Sequence, residues 1–493
     1  MTLGEATKES PVTLSYKALC VGRGDRVRTY DLLTPSQTRY QTAPHPVRTR
    51  VYETPRGKPL QFACTLSTIE ASARLITSDR VRTTTVSIPD VPRRVGDVDM
   101  SRTIGIGVIA MGWMGPPHSR AYRQPVNRFP DYGIEPRLVV CADAVEARAR
   151  EAKERFCFER STVDWREVIA DPDVEVVNIT SPNNLHAEMA CAAAAAGKHV
   201  FCEKPLGRNA EETATIEKAT HQAGVMSFTG FCYRWAPLVQ WVRQLVVEGR
   251  LGRITHYRGR FLVGYGGNPD GVLCWRFDRE VAGSGSLGDI MSHAVDMAHF
   301  FVGPISSVVS QSKTYIPERP LPTPGEGTHF SVGGGGPKGA VTNEDYVGAL
   351  IRFECGANGT LEACRVIVGE KCEMAFELNG TLGGARWNCE RMNELRLHLP
   401  EENQLHDGYA RIYSDPQHPF HSRFAPGPAA GLGDDDLAVI EVAQFLKGIC
   451  DGSPVEPSFH AILEAARVNA AMEVPGRVGA GKVSKLPDVS IRS

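Results

Sequence analysis

The stretch Thr103-Ile104-Gly105-Ile106-Gly107-Val108-Ile109-Ala110-Met111-Gly112-Trp113-Met114-Gly115-Pro116-Pro117-His118 holds, in order, a strand, a tight turn and the start of a helix. Ile104 to Ile109 is apolar and short, as a strand buried in a parallel sheet is, and Ala110 to Gly115 spell A-x-G-x-x-G. Gly112 lets a pyrophosphate approach bare backbone. Gly115 lets the new helix pack tightly on its strand, and unpaired N–H groups at the helix start, behind Trp113 and Met114, would hold the phosphates. The pattern reads as a dinucleotide seat, although an ordinary glycine turn can share it. Ala110 stands where the first glycine belongs, and its Cβ is acceptable there only if φ stays negative.

A second apolar run, Arg137-Leu138-Val139-Val140-Cys141-Ala142, ends at Asp143. A doubly wound nucleotide fold places an acid there on the adenosine ribose hydroxyls, and its charge disfavours a 2′-phosphate, so NAD is preferred over NADP. Residues 144–155 read as a helix, so Asp143 can also serve as its N-cap; the two roles can coexist.

With 493 residues, 42% of them hydrophobic, and a formal net charge of −2, the chain has room for two or three domains and no general affinity for nucleic acid. Thirteen cysteines are scattered through apolar runs without C-x-x-C spacing, which suits a reducing, cytoplasmic setting and gives no zinc signature. No apolar stretch approaches the roughly 20 residues of a membrane span, and the first thirty residues lack the apolar core of a signal peptide. Residues 1–99 differ from the remainder: they carry fifteen Lys or Arg against ten Asp or Glu, and strand and helix periodicity is clear only after Met100. Residues 21–41 resemble peptides conceptually translated from transfer-RNA genes, so 1–99 is expected to be unstructured or a mistranslated extension. A flexible basic tail and a targeting presequence are the alternatives.

Residues 100–233 are expected to form one doubly wound parallel α/β domain. Strands at 174–179 and 199–202 flank a helix at 185–196, and a helix at 210–223, stopped by Gly224, leads to a strand at 225–231. From 234 to 493 an α+β domain with an open, mostly antiparallel sheet is expected: a helix at 237–248, strands at 253–263, 306–315, 346–354, 359–368 and 373–378, hairpin turns at 356–359 and at Asn379-Gly380, and late helices at 435–450 and 459–473. Residues 317–339, rich in Pro and Gly, read as a loop: a lid, a linker or an oligomer contact.

Chemistry concentrates in three places. Lys204, in Glu203-Lys204-Pro205, follows a strand and would enter the crevice at the carboxyl ends of the sheet, where it can stabilise alkoxide character; most single lysines are simply solvated. Asp289, His293 and Asp296 are spaced i, i+4, i+7 on one expected helical stripe. His293 is a natural general base with Asp289 to orient it, against the alternative of a core histidine; a metal set of Asp289, His293, Asp296 and His299 does not share a narrow face, so no metal is expected. Tyr233-Arg234-Trp235 and Trp275-Arg276-Phe277 place aromatics beside guanidinium groups, as sugar sites do and as core packing with a snorkelling arginine also does.

Residues 107–115, Ser181-Pro182-Asn183-Asn184-Leu185-His186, Glu203-Lys204-Pro205 and the Asp289 to His293 segment together resemble the glucose-fructose oxidoreductase, inositol dehydrogenase and rhizopine catabolism family, in order and interval, from Met100 to the C-terminus. The resemblance implies oxidation of a secondary alcohol of a sugar or cyclitol with NAD or NADP, and Lys204, Asp289 and His293 at the substrate. It also implies cofactor contacts from Ser181, Pro182, Asn183, His186, Glu203 and Lys204, a cis Lys204–Pro205 bond, and a homo-oligomer, dimer or tetramer, built through the open sheet face. Residues 316–320, 336–339 and 418–420 resemble the branch containing levoglucosan dehydrogenase and relatives that oxidise pyranose C3. The same fold serves redox-neutral NAD-dependent glycosidases and non-catalytic dinucleotide-sensing regulators, which stay open as alternatives.

Overall fold

Ile104, Ile106 and Val108 are wholly buried, as expected of an inner strand with a neighbour on each side. The computed structural model describes residues 102–473 except 323–327, 329, 334 and 401–406, together with Ser484–Lys485 and four short strands near the N-terminus. The chain divides into two compact units, Met1–Gly96 and Asp97–Ser493. In the first, two antiparallel pairs are described, Lys17–Cys20 with Arg28–Asp31 and Ser72–Thr77 with Arg80–Thr85. The rest of the expected extension, including most of residues 21–41, lies outside the described residues.

The second unit begins with a six-stranded sheet. Its strands are β1 (Arg102–Ile109), β2 (Ile134–Ala142), β3 (Arg160–Thr162), β4 (Val176–Ile179), β5 (His199–Cys202) and β6 (Ser227–Thr229), all parallel, in the order β6-β5-β4-β1-β2-β3. The connections carry helices α1 (Gly115–Tyr122), α2 (Glu146–Phe156), α3 (Trp165–Ala170), α4 (His186–Ala195) and α5 (Ala210–Ala223), the last closed by Gly224 at φ +64°. Winding reverses between β1 and β4, and in open α/β sheets ligands bind in the crevice at that switch point. The turns after β1, β2, β4 and β5 bring Ala110 to Gly115, Asp143, Ser181 and Lys204 to this edge.

After α6 (Pro237–Val247) and β7 (Ile254–Val263) come the helix α7 (Ser292–Val302) and a long second sheet. It contains β8 (Ile305–Lys313), β11 (Tyr346–Phe353), β12 (Asn358–Cys364), β13 (Cys372–Gly380), β14 (Gly384–Asn388), β15 (Glu394–His398), β16 (Ala410–Tyr413) and β17 (Ser484–Lys485); β9 (Glu318–Pro320) and β10 (Lys338–Ala340) form a separate hairpin. The order is β16-β15-β14-β13-β7-β12-β11-β8-β17, antiparallel throughout except for β7 with β12. Apolar side chains alternate into the core on β11, where Val347, Ala349, Ile351 and Phe353 are buried.

Two sequence expectations need correction here. Asn379 and Gly380 lie within β13, and the turn falls at residues 381–383; Gly380 is required because a Cβ there would stand 1.9 Å from the Leu251 carbonyl oxygen. Residues 317–339 are not all loop, since β9 and β10 pair and Arg319 is 1% exposed. Helices α8 (Asp434–Asp451) and α9 (Phe459–Glu473) return to the first sheet. Phe445 of α8 packs at 5.7 Å from Phe201 and 5.4 Å from Phe228, and the Thr229 N–H donates to the Pro457 carbonyl at 3.1 Å. No helix among the described residues is long and apolar enough to cross a membrane.

Candidate active site

Strand β5 delivers Lys204, and a π-wound turn, Leu287–Met291, delivers Asp289. The Lys204 Nζ donates to Asp289 Oδ1 at 3.0 Å and to the Asp289 carbonyl at 2.8 Å. An ammonium has three donors, so one remains for a further acceptor. The Lys204–Pro205 peptide is cis. Asp289 Oδ2 accepts from the Tyr265 hydroxyl at 2.8 Å, and Arg276 Nε stands 3.9 Å from it. Burial opposes the Asp289 charge, but Lys204, Arg276 and Tyr265 outweigh it and hold the carboxyl far below the usual carboxylate range. Asp289 is therefore an ionised anchor for Lys204 rather than a proton carrier at neutral pH.

His293 lies at the start of α7 and is 6% exposed. Its ring is met edge-on by Phe231, Tyr233 and Phe261, with centroids 5.0, 5.2 and 5.4 Å away. Burial, then the Lys204 charge, push its pKa well below that of an ordinary imidazole, with Asp289 pulling the other way. The ring is neutral at pH 7 and able to accept a proton.

The even stripe expected for Asp289, His293 and Asp296 is not built. A π turn changes the residue phase before α7 begins, and Asp296 leaves the cluster for a buried bidentate pair with Arg234, at 2.7 and 2.6 Å. Arg234, expected at the substrate, is thus committed to Asp296 and lies over the Phe300 ring. Of the other expected sugar contacts, Tyr233 packs on His293, and Arg276 stacks on Trp275 at 4.3 Å while facing Asp289. Among the described residues no group of three or more His, Cys, Asp or Glu side chains converges as metal ligands would.

On the cofactor side, Ala110 departs from expectation: its φ is +73°. A left-handed residue with a Cβ costs roughly 1–2 kcal/mol. The turn is fixed from both ends, by Ala110 N–H to the Ala142 carbonyl at 2.7 Å and by the Thr180 hydroxyl to the Ala110 carbonyl at 2.6 Å. A Cβ on Gly112 would meet nothing within 4 Å, whereas one on Gly115 would stand 2.3 Å from the Ala110 carbonyl oxygen. Open backbone at the first and close packing at the second are what a pyrophosphate-binding loop requires. Pro116 and Pro117, the second and third residues of α1, have no N–H, so the expected donors of the first helical turn reduce to the Gly115 amide at its start.

Asp143 accepts from the Met111 N–H through Oδ2 and from the Val145 N–H through Oδ1, both at 2.8 Å. It ties the glycine loop to the end of β2, and each oxygen keeps a lone pair for a ribose hydroxyl. It is not the helix N-cap: α2 starts at Glu146, with Val145 in that position. The residues present fit a dinucleotide.

The side chains of the Ser181 to His186 stretch and of Glu203 turn largely to the protein. His186 is fully buried, with its ring nitrogens 2.9 Å from the Pro205 and Ser181 carbonyls, so it staples the two loops and does not face a cofactor. Asn183 donates to the Ala282 carbonyl at 2.9 Å, and the Ser181 hydroxyl makes only a long 3.4 Å contact to the Pro182 carbonyl. Glu203 bonds His118 Nε2 at 2.8 Å and accepts from the Lys204 N–H at 3.2 Å; His118 Nδ1 and the Tyr122 hydroxyl both meet Asn178 Oδ1. Burial opposes the Glu203 charge, but the His118 bond and the Lys204 ammonium lower its pKa overall.

Tyr265, His118 and Asn178 were missed by the sequence reading. Tyr265 follows the long strand β7 within Gly264-Tyr265-Gly266-Gly267, and an aromatic hydroxyl in a glycine turn at a strand end was the available signal. His118 and Asn178 act behind the lysine through Glu203, and no spacing rule reveals such a contact.

Two family models match the chain: the oxidoreductase family with an NAD-binding Rossmann fold over residues 104–231, and the GFO/IDH/MocA C-terminal domain over residues 239–386. A levoglucosan dehydrogenase from Pseudarthrobacter phenanthrenivorans is 40% identical over 386 residues, covering 76% of this chain and 99% of its own. A levoglucosan dehydrogenase solved with NADH and levoglucosan superposes with a TM-score of 0.73 at 38% identity, over 78% of this chain and all of its own. Myo-inositol 2-dehydrogenase of Thermotoga maritima is 28% identical over 53% of this chain and 68% of its own. With both halves of the fold matched and a relative covered almost end to end, the chain belongs to the GFO/IDH/MocA oxidoreductase family.

Proposed function

We propose that the protein oxidises a secondary hydroxyl of a pyranose sugar or anhydrosugar, with levoglucosan-like compounds the first candidates, and reduces NAD in doing so. One observation carries the reading: Lys204, anchored on the ionised Asp289, stands beside a neutral, buried His293 at the crevice edge of the parallel sheet.

When bound, NAD supplies the hydride acceptor. The protein has to hold the alcohol, take its proton and keep water away. The free donor of Lys204 bonds the reacting oxygen and lowers the cost of alkoxide character there. His293 accepts the hydroxyl proton on a ring nitrogen; the Lys204 charge that weakens His293 as a base also acidifies the alcohol, so the proton still has somewhere to go. Asp289, held by Tyr265 and Arg276, fixes the ammonium. Phe231, Tyr233 and Phe261 hold the imidazole plane, and Trp275 with Arg276 offers an apolar face beside a donor for the sugar ring.

Asp143 supports NAD over NADP, because its charge opposes a 2′-phosphate. Buried thiols such as Cys141, Cys202 and Cys274 suit a reducing cytoplasm, and a homo-oligomer through the open face of the second sheet completes the proposal. Residues 1–99 fall outside the working enzyme in this reading, since the matched dehydrogenase aligns over nearly its whole length with 76% of the chain.

His293→Ala tests the assignment. Turnover should fall by about 10²–10⁴, the usual contribution of acid–base work, while calorimetric NAD affinity stays within twofold or so; equal loss of both would remove His293 from the chemistry.

A further inference from the structure

Beside the site lies a thiol pair that the dehydrogenase reading does not use. Cys372 opens β13 and is exposed; Cys389 follows β14, on the neighbouring strand. The Cys389 thiol donates to the Cys372 carbonyl at 2.6 Å and its Sγ accepts from the Met374 N–H at 3.2 Å, which sets the second sulfur against the backbone of the first cysteine. The Tyr233 hydroxyl approaches Cys372 Sγ to 3.6 Å, and the same Tyr233 ring packs at 5.2 Å on His293. Glu390 accepts from the N–H groups of Lys371 and Cys372 at 2.7 and 2.9 Å, which ties the two strand ends together.

We propose that Cys372 and Cys389 form a reversible redox pair, oxidised to a disulfide by peroxide, and that this bond slows turnover by releasing Tyr233 from its place against His293. The effect on turnover rests on the dehydrogenase reading; the thiol chemistry does not. The neighbouring Cys389 thiol and Tyr233 hydroxyl, with the Lys204 charge, favour the Cys372 thiolate and bring its pKa down to about 7. That thiolate attacks one peroxide oxygen and the O–O bond breaks, giving a Cys372 sulfenic acid and hydroxide. Cys389 sulfur then displaces the sulfenic oxygen, which leaves with a proton as water. Two thiols lose two electrons and two protons in all, and one peroxide becomes two waters. In the disulfide the Cys372 sulfur can no longer act as the thiolate acceptor for Tyr233, so one wall of the cage around the base is freed.

The test uses the full chain. The reduced protein is treated with hydrogen peroxide, its free thiols are blocked, and proteolytic peptides are mapped by mass spectrometry in parallel with NADH formation and calorimetric NAD binding. The expected result is a 372–389 linked peptide, turnover reduced toward the roughly hundredfold loss that an ångström-scale displacement near the chemistry can cause, near-normal NAD affinity, and recovery with dithiothreitol. Cys389→Ser should keep its untreated activity but lose the linked peptide and the dithiothreitol-reversible component. Oxidation without the 372–389 link, or the link with unchanged turnover, overturns the proposal. If the reduced protein turns over no sugar, the dehydrogenase reading fails, and the peptide map still decides whether the pair forms.

Discussion

Lys204 is the residue through which the charges of the site communicate. It holds Asp289 at 3.0 Å, and its charge is one of two causes, after burial, that lower the His293 pKa. Lys204→Met should therefore do two separable things. Turnover should fall about a hundredfold to a thousandfold, as when a transition-state donor is removed. The acidic limb of the kcat/KM profile should move to higher pH, because a His293 freed from the ammonium protonates earlier as pH falls. A pH-rate series on both proteins checks this, and an unmoved limb would mean that Lys204 does not act on His293. Ala110 makes the opposite kind of contribution: its φ of +73° is strain held in place by neighbouring hydrogen bonds. Ala110→Gly should raise stability by about 1 kcal/mol or somewhat less, since relief of the left-handed Cβ outweighs the entropy of the extra glycine; urea unfolding measures it.

At the scale of elements, the sequence was legible where one periodicity ran uninterrupted. The strands and helices of the first sheet follow from buried apolar runs and from stop signals such as Gly224, and Glu203-Lys204-Pro205 follows β5 at its carboxyl end. Helical arithmetic failed at Asp289 to Asp296 because Asp289 sits inside a π turn, Leu287–Met291, and the hydrogen bonding that creates such a turn leaves no mark in spacing. Strands β14, β15 and β16 were missed because Arg386, Arg396 and Arg411 interrupt them; these residues face outward on a sheet whose other face is buried. Arg234 illustrates the same limit. An arginine between two aromatics reads as a sugar contact until its partner, Asp296, is seen. Arg234→Met should accordingly act on folding, lowering stability by about 3–5 kcal/mol because Asp296 is left buried and unpaired, and should leave KM for the sugar nearly unchanged in the fraction that folds. A large KM effect with normal unfolding would return Arg234 to the substrate.

In the whole molecule, the first sheet supplies the dinucleotide edge, the second supplies Tyr265 and the wall of the base, and α8 and α9 come back to cover the first sheet. The proposed catalytic residues all lie within Asp97–Ser493, the second compact unit. A chain beginning at Met100 should keep the kcat and KM of the full chain within about twofold, well under the tenfold that 1.4 kcal/mol represents; a large loss would show that the first unit takes part. The most direct measurement follows near-ultraviolet NADH absorbance when the full chain and NAD meet a panel of levoglucosan, free pyranoses, glycosides and inositols, with His293→Ala alongside. The prediction is steady NADH formation with anhydrosugar or pyranose and almost none with the variant. Silence across the panel, with NAD binding shown by calorimetry, or NADH formation that is indifferent to His293, would contradict hydride transfer at this site.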